Sequence, residues 1–548
     1  MFQTNLSILR EFLKKNNLDY FLICATDEYL NEYIPKDENP RYLLSAFSGS
    51  TGDMLIGHNE AFLFVDGRYH KQADEQVDHS LIKVIKLMIN KTQKQAIEDI
   101  LKDKKNLRIG IPTSKMRYMT FCNLQKDLPD VEFVEFDKEP DLIGFKNCSS
   151  NAEIRTVPLS IVKYSADEKV EKLGTELGDK TLIITKLDEI AYLTNLRSSQ
   201  IPYFSAFKAK ALLKKNECLL FSDSKDLNPG NKFKVLPEKE FVEYLKKENN
   251  FLAVKSSINL KTYRLVENKN IEFIDRSPIA LMKAVKNECE IAHLKDCFER
   301  ADRVMVEISH WLEQSEDISE LDFSNKVEEL FLKYGANSLS FSTIASFGNN
   351  TASIHYSTPS ADVKLKENDI ILLDCGGYYE GGYSTDATRV FFKGNNPAEE
   401  QKEVYTTVLR AFLNGLYYPL QKDSTGFDID KKVRDITEQC SLKTFHFMHS
   451  TGHGVGISVH EAPPFLGPSE SAKQQLLPGM CFSIEPGLYD SEKFGVRIEN
   501  TVYADDSDGK LRITSFSKAP FEKKLIDYSL LSEQEKIWLE DYEAQCKK

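Results

Sequence analysis

Apolar residues at Leu6, Leu9, Phe12 and Leu13, interleaved with Arg10, Lys14 and Lys15, fall on one face of a helical period, so the chain opens on an amphipathic helix. A strand run follows in DYFLICATD, then a Gly/Ser turn in FSGSTGD and further strand runs in MLIGH and AFLFVDGRY. From about residue 180 a similar order returns, with TLIITKLDEIAYLTNLR followed by YFSAFKAKALLKKNECLLFSD. The weak but ordered match of LDYFLICATDEYL with KTLIITKLDEIAYL predicts two related α/β domains over residues 1–150 and 151–285, the alternative being only a shared rhythm. A third region, 286–548, opens near Asn287, where Ile291, Leu294, Phe298, Ala301, Met305, Ile308 and Leu312 step by three and four along one helix stripe. Strand runs IILLD, MCFSIE and GVRIENTVY come after it, punctuated by Gly and Pro. The fold class expected is mixed α/β (α+β).

Composition narrows the function classes. A length of 548 residues exceeds what one hydrophobic core supports, and 41% hydrophobic with 28% charged residues is the balance of a soluble globular protein. The net charge of −13 is spread without a basic run, which argues against nucleic acid, anionic membranes and phosphates as partners. The N-terminus does not read as a signal peptide, and no run reaches the ~18 apolar residues a membrane span needs. Ten cysteines, Cys148 among them, form no C-x-x-C pair, which suggests neither a zinc framework nor a disulfide scaffold and fits a reducing cytoplasm.

Candidate chemistry gathers in the last region. Asp374 ends the apolar run IILL, where an unpaired charge is costly. In GVRIENTVY, alternation places Val496, Ile498 and Asn500 on one face and Arg497, Glu499 and Thr501 on the other, so Glu499 points away from the more apolar side. Any one such acid reads most simply as salt-bridged or solvent-facing. Asp374, Asp386, Glu485 and Glu499 together with a histidine are different: if they converge, each close pair repels by roughly 4 kcal/mol at ~4 Å and an effective dielectric near ~20. Protonation, several basic residues or metal would be needed to hold them. Four acids and one imidazole match two divalent cations, and an oxygen-rich set with one nitrogen suits Mn²⁺, with Co²⁺, Zn²⁺ or Fe²⁺ as alternatives. The segment HSTGHGVGISVHE adds three imidazoles, His449, His453 and His460, among Gly452, Gly454 and Gly456.

Five ordered motifs, ASIHY, ILLDCGG...STDATR, HSTGHGVG...VHEAP, GMCFSIEPGLY and GVRIENTV, resemble the pita-bread metallopeptidases, and most closely the three-domain Xaa-Pro aminopeptidases (aminopeptidase P). RYLLSAFSGSTGD, FVDGRY, LDEIAYLTNLR...PYF and the tail extend the resemblance over nearly the whole chain. It implies two creatinase-N-terminal-like α/β domains followed by a pita-bread catalytic domain. It further implies that Asp374, Asp386, His453, Glu485 and Glu499 bind two metals, with Asp386 and Glu499 bridging. His355 and His460 would flank the substrate, His449 would line the pocket beyond them, and Arg497 would position a metal-binding carboxylate. Arg68, in VDGRY, matches a position near the substrate, with a structural partner for Asp66 as its other reading. His58, His70, His79, His293, His310 and His446 are expected to be ordinary surface or structural residues. The glycines are expected to let the backbone pass close to a metal centre and to allow unusual torsions.

The activity implied is removal of the N-terminal residue from peptides whose second residue is proline. A hydroxide held by two metals would attack, and Glu485 would pass a proton toward the leaving nitrogen. A prolidase-type dipeptidase, a metal-free creatinase-like amidinohydrolase and a non-catalytic peptide-binding relative are the alternatives. The first two domains imply an interaction role and a homodimer. In one respect the chain departs from the family pattern: Asp374 and Asp386 are twelve positions apart where the family has eleven, with Tyr383 or a neighbour as the extra residue. A bulge or longer turn at Gly381-Gly382 is expected to absorb it.

Overall fold

The computed structural model describes residues 1–88, 91–146 and 152–547. Cys148 and the expected domain boundary at 150/151 lie outside the described residues. By its internal contacts the chain forms two compact units, one of Met1–Thr156, Tyr164–Pro202 and Ala206–Ile279, the other of Val157–Lys163, Tyr203–Ser205 and Ala280–Lys548.

The first unit contains two six-stranded sheets. The first is built from β1 (Tyr20–Ile23), β2 (Met54–Gly57), β3 (Ala61–Val65), β4 (Lys83–Lys86), β5 (Arg108–Pro112) and β6 (Glu132–Phe136), in the order β4-β3-β2-β1-β5-β6. The second is built from β7 (Thr181–Ile184), β8 (Lys210–Leu213), β9 (Cys218–Phe221), β10 (Phe233–Leu236), β11 (Asn250–Val254) and β12 (Asn270–Ile274), in the order β10-β9-β8-β7-β11-β12. The orders are identical, which a shared rhythm alone would not produce. The two halves also meet reciprocally. Tyr118 N–H donates to Ile258 O and Leu260 N–H to Met116 O, while Met119 N–H donates to Lys255 O and Lys261 N–H to Thr113 O. Equivalent residues thus exchange hydrogen bonds across a local two-fold.

The second unit is organised around a sheet of β13 (Ile344–Phe347), β14 (Ile370–Cys375), β15 (Ala387–Phe392), β16 (Cys481–Ile484), β17 (Glu499–Asp505) and β18 (Arg512–Ser515). Its order is β13-β14-β15-β17-β16, with β18 paired to β17. Both faces of β14 are covered, which is why IILLD reads as a continuous apolar run rather than an alternating one. Ile370 and Leu372 pack with Val390, Leu409 and Ile484 on one side, and Ile371 and Leu373 pack with Val304, Met305 and Ile308 of helix Glu288–Gln314 on the other. That helix starts where Asn287 predicts, because Asn287 Oδ1 accepts from the Cys289 and Glu290 N–H groups while Glu290 Oε2 accepts from Asn287 N–H. Of its predicted stripe only Ile291 is not fully buried.

GVRIENTVY is not one strand. Gly495–Arg497 pairs with Gly487–Tyr489, and β17 starts afresh at Glu499 in the main sheet, so Ile498 is a break. Both of its faces are buried, and Arg497 and Glu499 are each 1% exposed. The alternation separates the faces correctly, but the polar one is turned inward rather than to solvent.

Candidate metal centre

Antiparallel register places the first three polar groups. Asp374 on β14 pairs with Thr388 on β15, and Thr388 pairs with Glu499 on β17, so three side chains stand in one row on one face across three strands. Glu485 follows β16 directly, its N–H bonded to Thr451 O at 2.8 Å. His453 enters on a two-residue strand paired with Phe465–Leu466, and its N–H donates to Ser483 Oγ at 3.0 Å.

Between Asp374 and Asp386 the chain runs out and back as a hairpin whose arms are still bridged at Tyr378 and Ser384, and the tip is where the expected extra residue would be taken up. Register is counted from the paired strands, so an insertion at the tip leaves every paired residue on its own face; only an insertion within a strand would invert the pattern. Asp386 is two residues before Thr388 and therefore shares its side. The turn itself is made by Gly381 and Gly382, whose φ values of 55° and 66° favour glycine, and is closed by Gly382 N–H to Tyr379 O at 3.0 Å. Tyr383, 1% exposed, turns inward and donates its hydroxyl to Glu290 Oε1 at 2.5 Å.

Asp386, His453 and Glu499 bring ligand atoms within 4.8 Å of one another. His453 Nε2 lies 3.3 Å from Glu485 Oε1 and 3.5 Å from Asp386 Oδ2. Its Nδ1–H donates a hydrogen bond to the Gly454 carbonyl at 3.1 Å, which leaves the Nε2 lone pair toward the carboxylates. A lone pair facing two anions repels them unless a cation stands between. Asp374 repeats the signal: Oδ2 accepts from Arg497 Nη2 at 2.8 Å, but buried Oδ1 has no hydrogen-bond partner among the described residues. Burial, then the neighbouring acids, push the Asp386 and Glu499 carboxyls well above the usual range, and burial pushes Glu485 up to about 7. Arg497 is the one arginine or lysine paired directly to this cluster among the described ion pairs. Four acids and one imidazole, with one guanidinium as the only paired countercharge among the described ion pairs, form a donor set that suits a divalent metal, oxygen-rich with a single nitrogen.

The Metallopeptidase family M24 model matches residues 292–506, and Creatinase/Prolidase N-terminal domain models match 6–142 and 146–290. Probable Xaa-Pro aminopeptidases P from Laccaria bicolor and Coprinopsis cinerea are 32% and 30% identical, covering 98% of this chain and 89% and 94% of their own. The chain belongs to the Xaa-Pro aminopeptidase P family. Among solved structures, the X-prolyl aminopeptidase of Caenorhabditis elegans, a cytosolic enzyme with a di-nuclear active site, matches at a TM-score of 0.90 and 25% identity over 100% of this chain and 95% of its own. A Xaa-Pro dipeptidase from Bacillus anthracis matches at a TM-score of 0.54 and 26% identity, over 65% of this chain and 98% of its own. The fold expected from the motifs, two creatinase-N-terminal-like domains and a pita-bread domain, is the fold of this aminopeptidase P family member.

Beyond the five expected ligands the structure adds residues that the motifs did not single out. Thr388 Oγ1 donates to Glu499 Oε2 at 2.7 Å and accepts from Arg497 Nε at 3.2 Å. It was within reach of the sequence, being two residues from Asp386 on a strand of period two. Tyr489 was not: its hydroxyl accepts from Arg497 Nη1 at 2.8 Å and meets His449 Nε2 at 2.8 Å, a contact made only by strand pairing. With His449 Nδ1 donating to Ser450 O at 2.8 Å, the chain Asp374–Arg497–Tyr489–His449 has one consistent set of donors. Removing a residue that orients a ligand costs about 10- to 100-fold in metal affinity or activity. Thr388→Val should therefore weaken metal binding by about that factor, read by calorimetric titration of the metal-free variant.

The remaining expected site residues fall in different places. The His460 ring lies edge-on to His453 with centroids 4.5 Å apart, inside the cluster. His355 is half-buried between buried Ile354 and Tyr356, and Tyr356 anchors its turn by donating to Glu320 Oε2 at 2.6 Å. Arg68, expected near the substrate, belongs to the other unit, where it holds Asp66 through Nε at 2.9 Å and Nη2 at 2.8 Å, as its other reading had it. His446 pairs its backbone with Tyr489.

The unusual torsions expected of the three glycines around His453 are not present, but close approach of the backbone is. Gly452, Gly454 and Gly456 do not adopt left-handed torsions. They are needed for room: a Cβ would fall 2.0 Å from Ser483 O at Gly452, 1.9 Å from Glu461 O at Gly454, and 2.2 Å from Glu461 Oε1 at Gly456. Neighbouring backbone and a buried carboxylate exclude side chains there.

Proposed function

We propose that this protein is an exopeptidase that binds two Mn²⁺ ions and hydrolyses the first peptide bond of chains with proline second. The observation that carries the reading is the convergence of Asp374, Asp386, His453, Glu485 and Glu499 with an unpartnered Asp374 oxygen and a His453 lone pair aimed among them. Asp374, Asp386, His453, Glu485 and Glu499 would hold the ions, which when bound would supply a water of lowered pKa and a Lewis acid for the scissile carbonyl. Glu485 takes the proton from the attacking water and delivers it to the departing proline nitrogen, which as a tertiary amide carries none of its own. His355 donates to the developing oxyanion, His460 holds the peptide, and His449, with both ring nitrogens engaged by Ser450 and Tyr489, lines the pocket beyond them.

A homodimer in the cytoplasm is the assembly and location proposed; the cytosolic C. elegans relative and nine described cysteines without a disulfide support the location. Among the described residues no helix is long and apolar enough to cross a membrane.

The test is hydrolysis of Arg-Pro-Pro against Gly-Pro, each with Mn²⁺ and with chelator. Cleavage of the tripeptide alone, abolished by chelation, is expected. Preference for Gly-Pro would replace the reading with a dipeptidase, and inertness toward both with two ions bound would leave a peptide-binding relative.

A further inference from the structure

The bend that carries His460 is held by a buried group of charges outside the ligand set. We propose that Glu461, clamped between Lys283 and Lys286, is a positioning residue that fixes residues 454–461 and with them the direction of His460; the role of His460 itself rests on the peptidase reading above. Glu461 is 1% exposed, Lys283 2% and Lys286 4%. Glu461 Oε2 lies 2.9 Å from Lys283 Nζ, and Oε1 lies 2.9 Å from Lys286 Nζ. Ions taken this far from water repay their desolvation only in a fixed and well-bonded geometry.

The remaining bonds of the carboxylate show what that geometry holds. Glu461 Oε2 accepts from Ile457 N–H at 2.8 Å and from Ser458 N–H at 3.4 Å, while the N–H of Glu461 donates to Gly454 O at 2.8 Å. The segment is thereby closed on itself around the acid, with Gly456 lying against the carboxylate. Ser384 extends the same arrangement to the metal-side hairpin, its N–H and hydroxyl both donating to Gly456 O, at 2.8 and 2.9 Å. The lysines come from the segment leading into helix Glu288–Gln314. Its backbone is stitched to the approach to β16 by Lys286 N–H to Gly479 O at 3.0 Å and a Val285–Met480 bridge. One buried acid thus ties the turn bearing His460 to β16, the strand that Glu485 follows. A plain core ion cluster would stabilise the fold without acting through His460, and that difference can be measured.

Glu461→Gln keeps the shape of the side chain and removes its charge. Hydrogen exchange of residues 453–461 should speed up in this variant while exchange in β14 and β15 stays as in the wild type. On Arg-Pro-Pro its kcat/KM should fall about 10- to 100-fold, the loss usual for residues that orient an active group. On a His460→Ala background the same substitution should cost little more, because the group it acts through is gone. Lys283→Met, which leaves Lys286 in place, gives the same readouts should Glu461→Gln fail to fold. Unchanged exchange across 453–461 in a folded variant overturns the proposal, as do losses that multiply independently with His460→Ala. A wild type inactive on Arg-Pro-Pro, in which Glu461→Gln still loosens 453–461, would sink the peptidase reading and uphold the clamp.

Discussion

Asp386→Asn is expected to lose one or both metal ions and to lower kcat/KM on Arg-Pro-Pro by more than ~100-fold. Residues that merely support a ligand cost about 10- to 100-fold, and Asp386 faces the cluster itself, so its loss should exceed that range. The substitution has a second, opposite effect. Without metal, the Asp386 carboxyl is pushed well above its ordinary range by burial and then by Glu499, Asp374 and Glu485, so removing it relieves repulsion. Each close pair of carboxylates repels by about 4 kcal/mol at ~4 Å and an effective dielectric near ~20. Chelated Asp386→Asn should therefore melt higher than chelated wild type, while added Mn²⁺ should raise its Tm far less. Elemental analysis with melting curves in chelator and in Mn²⁺ measures both signs. Retention of two ions would show that the hairpin, with its extra residue, leaves Asp386 outside the ligand set.

The metal-free wild type is expected to lose stability as pH rises from about 4.5 to above 7. Burial raises Glu485 from its ordinary 4.5 to about 7. A carboxyl with a raised folded-state pKa is protonated in both states below 4.5, so the stability linked to it is fully present there and is lost as pH climbs through the folded value. At about 1.4 kcal/mol for each tenfold change, the loss from Glu485 is about 3 kcal/mol. Asp386 and Glu499 are shifted the same way and add to it. Divalent metal binds the deprotonated forms, so the stabilisation from Mn²⁺ should grow over the same interval. Urea unfolding from pH 5 to 8, with chelator and with Mn²⁺, isolates the effect as the difference between the two series. A difference that does not change with pH would mean that the acids are not held together as described.

Much of this was legible along the chain. The helix stripe from Leu294 to Leu312, the strand IILLD and the weak repeat between the first two domains were visible because each depends on residues a few positions apart. The five candidate ligands were legible only as members of motifs; their types announced a metal, but nothing in their spacing brought them together. The reading of Glu499 as turned away from the apolar side holds, but it left open what that side meets, for a related reason. Alternation separates two faces of a strand and is silent on whether the polar one meets water or a buried partner. The torsions expected of the glycines around His453 misled in the same way, since what crowds them, Ser483 and Glu461, is defined only in space.

The sequence by itself determined where most helices and strands lie and which acids and imidazole were available for metal. Those properties follow from side-chain periodicity and chemical type, which are local. Tertiary structure alone decided that the first two domains share one strand order, that Asp374, Thr388 and Glu499 stand in one row, and that Lys283 and Lys286 close on Glu461. Each of these joins groups far apart in the chain through strand register or burial, and neither is written in the neighbours of any one residue.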